Sequence, residues 1–244
     1  MTGPRVAVIT GGSRGIGRAV TERLASDGLA VVVGYAASPK AADEIVASVR
    51  LAGGSAVAVR ADVADATQVG ALFERAESEF GGVDIVVTSA GILRPALIAE
   101  VTDNEFTEQV EVNIRGTFNA LRQAARRVRD GGRIVTLSST TLALNAPGYG
   151  VYNATKGAVE GFTRVLAKEL GARGVTVNAV APGPVETQLF LAGKSASDVQ
   201  RLAGLAPAGR IGQPVDIADA VALLASPEAG WISGQVIRVN GGVA

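Results

Sequence analysis

The stretch RVAVITGGSRGIG, residues Arg5–Gly17, joins a short apolar, β-branched run to a turn that contains four glycines. After the turn, Ile16, Val20 and Leu24 recur at the spacing of one helix face. A strand, a glycine turn and a helix in this order can hold a pyrophosphate, because the backbone can approach closely and the helix N-terminus offers unpaired N–H groups. An ordinary turn in a glycine-rich chain is the alternative, but the position in the first strand–helix unit favours a dinucleotide site.

Apolar runs and amphipathic segments alternate along the rest of the chain. Six more strands are predicted, at Ala30–Tyr35, Ser55–Asp62, Val83–Gly91, Gly131–Ser139, Gly174–Gly183 and Gly234–Gly242. Five more helices are predicted, at Pro39–Leu51, Ala66–Phe80, Asp103–Arg129, Val151–Leu170 and Pro214–Leu224. Strands without polar interruptions are typical of a parallel sheet that helices cover on both faces. The sequence therefore predicts an α/β fold, a doubly wound, mostly parallel sheet of about seven strands of the Rossmann type.

The composition removes several classes of chemistry. The chain has 0 Cys, which excludes disulfides, cysteine metal sites and thiol nucleophiles. It has 0 His, which excludes a Ser-His-Asp triad, histidine metal ligands and the usual general base. Any acid–base chemistry must therefore come from Tyr, Lys, Asp or Glu, and no metal site is expected.

Charge and hydropathy indicate where the protein works. The formal net charge is +0, which argues against electrostatic binding to nucleic acid or to anionic membranes. No apolar run has the length of a membrane span, and the first strand begins too early to leave room for a signal peptide. We therefore expect a cytoplasmic protein with a small-molecule substrate.

A second stretch, VYNATKGAV, places Tyr152 four residues before Lys156. With 3 Tyr and four Lys in the chain, chance placement gives about 0.05 such pairs. On a helix the two side chains share one face, one turn apart. A free phenol has a pKa near ~10, and a nearby ammonium group lowers it. We therefore expect Lys156 to make Tyr152 a usable acid or base, the alternative being a surface lysine beside a packing tyrosine.

The glycine spacing Thr-Gly-x-x-x-Gly-x-Gly at Thr10–Gly17, together with Tyr-x-x-x-Lys, resembles the short-chain dehydrogenase/reductase family in its single-domain form. The resemblance covers essentially the entire chain, and the pattern looks like that of 3-oxoacyl-[acyl-carrier-protein] reductases and their relatives. It implies one NAD(P)-binding domain over residues 1–244, with a substrate loop at about 183–212. It also implies a homotetramer or dimer that pairs the long helices and the C-terminal strands.

The resemblance implies a set of cofactor contacts at the carboxyl ends of the strands. Besides Tyr152 and Lys156, these residues are Gly11, Ser13, Arg14, Gly15, Ile16, Gly17, Ser38, Asp62, Val63, Ser89, Ala90, Gly91, Pro182, Gly183, Val185 and Thr187. Asp62 would accept from the adenine amino group, or else cap the following turn. The Val185 backbone and the Thr187 hydroxyl would bind the nicotinamide carboxamide. Ser89 stands where the family usually has Asn, and it is shorter and lacks the amide donor.

The second strand carries the signal for NADP rather than NAD. An NAD-preferring fold usually has an acidic residue after this strand, whereas here no carboxylate appears before Asp43 in the next helix. Arg14 supplies a planar cation suited to a 2′-phosphate, and family members with a basic residue there tend to prefer NADP. Ser38 and Lys40 could add a hydroxyl and an ammonium group, although Lys40 is about as well explained as a surface charge. The expected cofactor is therefore NADPH/NADP.

The family also implies the remaining catalytic residues. Its catalytic serine lies thirteen residues before the tyrosine, which selects Ser139 over Ser138, and Asn113 matches the asparagine that holds a water in a proton relay. The expected reaction is hydride transfer from NADPH to a ketone, such as a 3-oxoacyl thioester or a similar apolar carbonyl, with Tyr152 as general acid and Lys156 tuning it. An alcohol dehydrogenase working in the oxidative direction and a non-catalytic NADP-binding protein are the alternatives.

Overall fold

The computed structural model describes residues 3–244, and its centre is a sheet of seven parallel strands in the order β3-β2-β1-β4-β5-β6-β7. The strands are β1 Val6–Thr10, β2 Ala30–Tyr35, β3 Ala56–Arg60, β4 Val83–Thr88, β5 Val128–Leu137, β6 Thr176–Pro182 and β7 Val236–Val239. Val8 of β1 pairs with Val32 on one side and Val86 on the other, so the chain order reverses at β1. This reversal opens a crevice at the carboxyl ends of β1 and β4, where ligands bind in such sheets.

Ten α-helices connect the strands within residues 3–244. They are α1 Gly15–Ser26, α2 Pro39–Leu51, α3 Ala66–Phe80, α4 Asp103–Gln109, α5 Gly116–Arg127, α6 Thr141–Leu144, α7 Gly150–Leu170, α8 Gln188–Leu191, α9 Ala196–Ala203 and α10 Pro214–Ala225. Short 3-10 turns follow at Gly171–Arg173 and Pro227–Ala229. None of these helices is both long and apolar enough to cross a membrane.

The sheet separates two hydrophobic cores, which is why its central strands are apolar on both faces. Every residue of β1 is buried. Val6 and Val8 face the core formed with α3, α5 and α7, whereas Ala7 and Ile9 face the core formed with α1, α2 and α10. The predicted doubly wound α/β sheet of seven strands is thereby confirmed.

The long helix predicted at Asp103–Arg129 is wrong in two respects. It is divided by a π-helical segment at Val110–Arg115, and it ends at Arg127. β5 then begins at Val128, earlier than predicted, because Val128 pairs with Val83 and the register shifts before the next pair. The segment expected as a substrate loop contains the two short helices α8 and α9, which its weak periodicity did not predict.

Candidate active site

The glycine turn after β1 is shaped by contacts that only glycine allows. Gly11 and Gly15 have φ angles of +64° and +52°, in the left-handed region. A Cβ on Gly17 would lie 2.1 Å from the Gly11 carbonyl oxygen, and a Cβ on Gly11 would lie 2.8 Å from the Ala90 Cα. The turn therefore packs directly on the end of β4. The N-cap residue of α1 is Arg14, whose side chain makes no capping hydrogen bond. The first N–H groups of this helix therefore face the crevice without a side-chain acceptor from Arg14.

A cavity of about 990 Å³ runs along the carboxyl ends of the strands from the glycine turn to α9. It brings together almost every residue predicted from the sequence. The predicted residues that line it are Gly11, Ser13, Arg14, Gly15, Ile16, Gly17, Ser38, Asp62, Val63, Ser89, Ala90, Gly91, Ser139, Tyr152, Lys156, Pro182, Gly183, Val185 and Thr187. Asn113 is the exception and lies behind the cavity wall, whereas Lys40 is exposed and outside the lining, as a surface charge would be.

Polar groups line the end of the cavity nearest β2 and β3. Asp62 uses one carboxylate oxygen to accept from the Ala64 N–H at 3.0 Å, so the capping role is real. Ser38 occupies the N-cap of α2 without a side-chain capping bond, which leaves its hydroxyl directed elsewhere than to that helix. Arg14 lines the same end. A hydroxyl and a guanidinium are the donors that a phosphate group prefers.

Ser89 fits the narrow space between β4 and the glycine turn. Its Oγ would lie 3.0 Å from a Cβ on Gly17, so this side chain already fills the gap beside α1. Thr10 holds the strand end instead: its carbonyl accepts from the Ser89 N–H at 3.2 Å, and its hydroxyl accepts from the Ala90 N–H at 3.3 Å. The support expected from an asparagine at this position thus comes from Thr10.

Tyr152 and Lys156 lie one turn apart on α7, at the middle of the cavity. The Lys156 ammonium donates to the Leu137 carbonyl at 2.7 Å and lies 5.6 Å from the centre of the Tyr152 ring. Burial raises the pKa of Tyr152 to about 12, against an opposing hydrogen bond from Ser139. Burial lowers the pKa of Lys156 to about 8.

Among the protein groups the net shift of the Tyr152 pKa is upward, with burial as its largest cause, and the lowering expected from Lys156 stays a prediction. The phenol lines a cavity that dense protein surrounds, and the loss of water around it is the main cause of the raised pKa, while the Lys156 ammonium donates to the Leu137 carbonyl. At neutral pH the phenol is protonated.

The neighbouring serines at the end of β5 have different partners. Ser138 donates to the Glu160 carboxylate at 2.8 Å, which ties the strand to α7. The Ser139 Oγ accepts from the Thr141 hydroxyl at 2.9 Å and from the Thr141 N–H at 3.2 Å. Both serines line the cavity, but the Ser138 hydroxyl is committed to a carboxylate, which favours Ser139 as the donor to a ligand.

Asn113 sits within the π-helical segment and is buried. Its Oδ1 accepts from the Ile92 N–H at 2.9 Å, and its Nδ2 donates to the Ile92 carbonyl at 2.9 Å and to the Thr155 hydroxyl at 3.1 Å. Gly91 lies between this amide and the Lys156 ammonium. A Cβ on Gly91 would stand 3.4 Å from the Asn113 Oδ1 and 3.7 Å from the Lys156 Nζ. The side chain therefore fixes the loop after β4 next to Lys156. π-Helical turns of this kind occur frequently at functional sites.

Gln109 repeats the same contact one helical turn earlier and was missed by the sequence reasoning. Its Oε1 accepts from the Arg94 N–H at 3.2 Å and its Nε2 donates to the Arg94 carbonyl at 3.4 Å. The signal was present, since Gln109 and Asn113 continue the helix face that carries the buried Ala120 and Ala124. A polar side chain on an otherwise buried helix face needs a partner in the core.

The far end of the cavity is covered by α8 and α9. Thr187 caps α8 by accepting from the Phe190 N–H at 3.1 Å, which leaves its O–H free to donate. The Lys194 ammonium donates to the Phe190 carbonyl at 2.7 Å and lies 4.6 Å from the centre of the Phe190 ring. Several apolar side chains form the remaining walls, namely Leu93, Leu144, Tyr149, Leu189 and Leu202.

Comparison with known proteins agrees with this geometry. A family model described as Enoyl-(Acyl carrier protein) reductase matches residues 11–244. The chain is 42% identical to versicolorin reductase from Emericella nidulans over 98% of this chain and 95% of that protein. It is 40% identical to 3-oxoacyl-[acyl-carrier-protein] reductase from Staphylococcus aureus over 97% of each.

A solved structure supports the same relationship. A short chain dehydrogenase from Burkholderia cenocepacia, crystallised in complex with NADP, is 37% identical and superposes with a TM-score of 0.92, covering 98% of this chain and 97% of that one. With the glycine turn, the tyrosine–lysine pair and the seven-stranded sheet in place, the chain belongs to the short-chain dehydrogenase/reductase family and is an NAD(P)-dependent oxidoreductase.

Proposed function

We propose that this protein is an NADPH-dependent carbonyl reductase in which Tyr152 is the general acid. The observation that carries the proposal is the placement of Tyr152 and Lys156 one turn apart on α7 with Ser139 in the same cavity, between its glycine-turn half and its apolar half. A neutral phenol can give its proton to a carbonyl oxygen.

The residues of the glycine-turn half fit a dinucleotide. The missing side chains of Gly11 and Gly17 let the turn pack closely on α1 and on the end of β4, which sets the N-terminus of α1 at the cavity, where it can bind a pyrophosphate. Arg14 and Ser38 would hold the 2′-phosphate of NADP, and Asp62 with Val63 would bind the adenine. Ser13, Ile16, Ser89, Ala90 and Gly91 would line the path, and Pro182, Gly183, Val185 and Thr187 would bind the nicotinamide. The NADP complex of the Burkholderia cenocepacia relative supports this assignment.

When bound, NADPH supplies the hydride, and the protein supplies position and protons. Tyr152 transfers its proton to the carbonyl oxygen as that oxygen becomes negative, and Ser139 donates a hydrogen bond to the same oxygen. Lys156, protonated below pH about 8, would stabilise the phenolate left on Tyr152 and would hold the nicotinamide ribose when the cofactor is bound. Asn113 would hold the water from which a proton returns to Tyr152 by way of Lys156.

The substrate we propose is an apolar ketone, with a 3-oxoacyl thioester as one member of the class. The walls formed by Leu93, Leu144 and Leu189 favour apolar groups. The relatives' names include a versicolorin reductase and a 3-oxoacyl-[acyl-carrier-protein] reductase. Residues 1–244 would form one domain in which 183–212, with α8 and α9, folds over the substrate.

We further propose a cytoplasmic homotetramer or dimer. Apolar side chains are exposed on α5 and α7, where Phe118 and Val165 are 44% and 58% exposed, and Trp231 near β7 is 100% exposed. Such side chains on two faces suit contacts with further copies of the chain. Size-exclusion chromatography with light scattering would give the assembly mass directly.

The first experiment follows NADPH and NADH oxidation by absorbance with wild type and Tyr152→Phe. The panel contains a 3-oxoacyl thioester, an enoyl thioester, a diketone, a quinone and a ring ketone, and alcohols are tested with NADP. Turnover of a carbonyl with NADPH that Tyr152→Phe lowers about 10²- to 10⁴-fold supports the proposal. Reduction of the enoyl thioester alone contradicts it, and binding of NADPH without turnover in either direction favours a binding protein.

A further inference from the structure

We infer that Thr141 is a positioning residue that turns Ser139 into an obligatory hydrogen-bond donor toward the reacting oxygen. Thr141 begins α6, two residues after Ser139, and lines the cavity. Both its hydroxyl, at 2.9 Å, and its N–H, at 3.2 Å, donate to the Ser139 Oγ. The inference rests on the proposed reductase function, because it assigns a role within the same site.

The chemistry follows from the hydrogen-bonding capacity of one hydroxyl. A serine hydroxyl has one O–H and two acceptor lone pairs. Thr141 occupies both lone pairs of Ser139, so the remaining interaction that Ser139 can make is donation of its own proton. The hydrogen bond from Ser139 lowers the pKa of Tyr152, as donation to the phenol oxygen does. Donation into the Ser139 Oγ also polarises its O–H and strengthens it as a donor.

Thr141 is itself fixed to the helix that carries the acid. The Asn153 side chain, directly after Tyr152 on α7, donates to the Thr141 carbonyl at 3.0 Å. The contact links the Ser139 loop to the Tyr152 helix through a single residue. During reduction the proton moves from Tyr152 to the substrate oxygen, while Ser139 keeps its proton and holds that oxygen by donation.

The Thr141 hydroxyl can be separated from the turn that Thr141 forms. The contact from the Thr141 N–H to the Ser139 hydroxyl is an ordinary serine turn, and any residue at position 141 except proline can supply it. The hydroxyl contact is not needed for that turn. Thr141→Val removes the hydroxyl and keeps the shape, whereas Thr141→Ser keeps the hydroxyl.

The experiment compares kcat and KM of wild type, Thr141→Val, Thr141→Ser, Ser139→Ala and the Ser139→Ala/Thr141→Val double variant. Loss of one neutral hydrogen bond predicts a fall of about tenfold in kcat for Thr141→Val, with the KM for NADPH unchanged. Thr141→Ser restores kcat, and Thr141→Val has no further effect once Ser139 is alanine. Thr107→Val, an exposed position on α4, is the matched control and keeps wild-type kcat.

Crystal structures of wild type and Thr141→Val provide a readout that needs no turnover. We expect the Ser139 side chain to change rotamer in Thr141→Val and to keep its wild-type rotamer in Thr141→Ser. If no carbonyl is reduced, the proposed function fails, but the Ser139 rotamer still tests the Thr141 contact. An unchanged rotamer with unchanged kcat, or losses that add in the double variant, overturns the inference.

Discussion

The ammonium group of Lys156 donates to the Leu137 carbonyl at 2.7 Å, at the end of β5 and two residues before Ser139. This contact joins α7 to β5 at the point where the catalytic residues meet. It also buries a positive charge, because the Lys156 side chain is 6% exposed. Loss of water around the ammonium lowers its pKa from 10.5 to about 8. At neutral pH, where Lys156 is charged, this buried charge therefore destabilises the folded state.

The first prediction is that Lys156→Met inactivates the enzyme and stabilises the fold. Below pH about 8 the charged lysine disfavours the folded state, since its pKa is lower folded than unfolded. Replacing it by an apolar side chain of similar length removes that penalty, less the loss of the bond to Leu137. For a domain of this size, each kcal/mol gained raises the Tm by about 2–4 °C.

The lowered pKa of Lys156 also fixes how the stability difference between the two proteins depends on pH. As the pH rises from about 8 to 10.5, folded Lys156 loses its proton before the unfolded chain does, so the wild type regains stability. The Tm advantage of Lys156→Met should be full at pH 7 and shrink across that window. Calorimetry of both proteins at several pH values measures it. A variant that is less stable at pH 7 would mean that the hydrogen bond outweighs the burial of charge.

A second prediction concerns the choice between NADPH and NADH. Arg14 lines the cavity near Ser38, and no carboxylate follows β2 to repel a phosphate. Arg14→Ala should raise the KM for NADPH about 10- to 100-fold, as expected for loss of a charge-assisted contact, with little change for NADH. Lys40→Ala is the control and should leave both values near wild type. Equal losses with both cofactors would show that Arg14 shapes the turn rather than binding a 2′-phosphate.

The parts of this molecule that were predictable from the sequence are the local ones. The glycine turn, the apolar strands and the pair Tyr152 and Lys156 each occupy a few consecutive positions with regular spacing. The strand ends then place the other cavity residues, because parallel strands present their carboxyl ends at one edge. The resemblance to a family added Ser139 and Asn113, which no local pattern singles out.

The parts that sequence reasoning missed depend on contacts between distant segments. The π-helical turn exists where Asn113 must meet both Ile92 and Thr155, which lie 21 and 42 positions away. The pKa of Tyr152 depends on burial by several elements at once. Neither effect follows from the spacing of Tyr152 and Lys156 along the chain.

A third prediction separates the two neighbouring serines. Ser139→Ala should lower kcat about 10²- to 10³-fold, as expected for removal of a donor to a developing oxyanion, without changing the Tm appreciably. Ser138→Ala removes the hydrogen bond to the Glu160 carboxylate and so loosens the contact with α7. It should lower the Tm, and its kcat should fall much less than that of Ser139→Ala. Paired kinetics and thermal unfolding measure both. The opposite assignment of losses would mean that Ser138 faces the substrate.

The last prediction tests the glycine turn by adding a single methyl group. Gly17→Ala would place a Cβ 2.1 Å from the Gly11 carbonyl oxygen, so either the turn or α1 must shift, and NADPH binding should be lost. Gly161→Ala on α7 is the matched control, because a Cβ there meets nothing within 4 Å and alanine stabilises helices by about 0.5–1 kcal/mol. Fluorescence titration with NADPH and thermal unfolding distinguish the two. If Gly17→Ala bound NADPH like the wild type, the close packing of turn and helix could not be what forms the cofactor site.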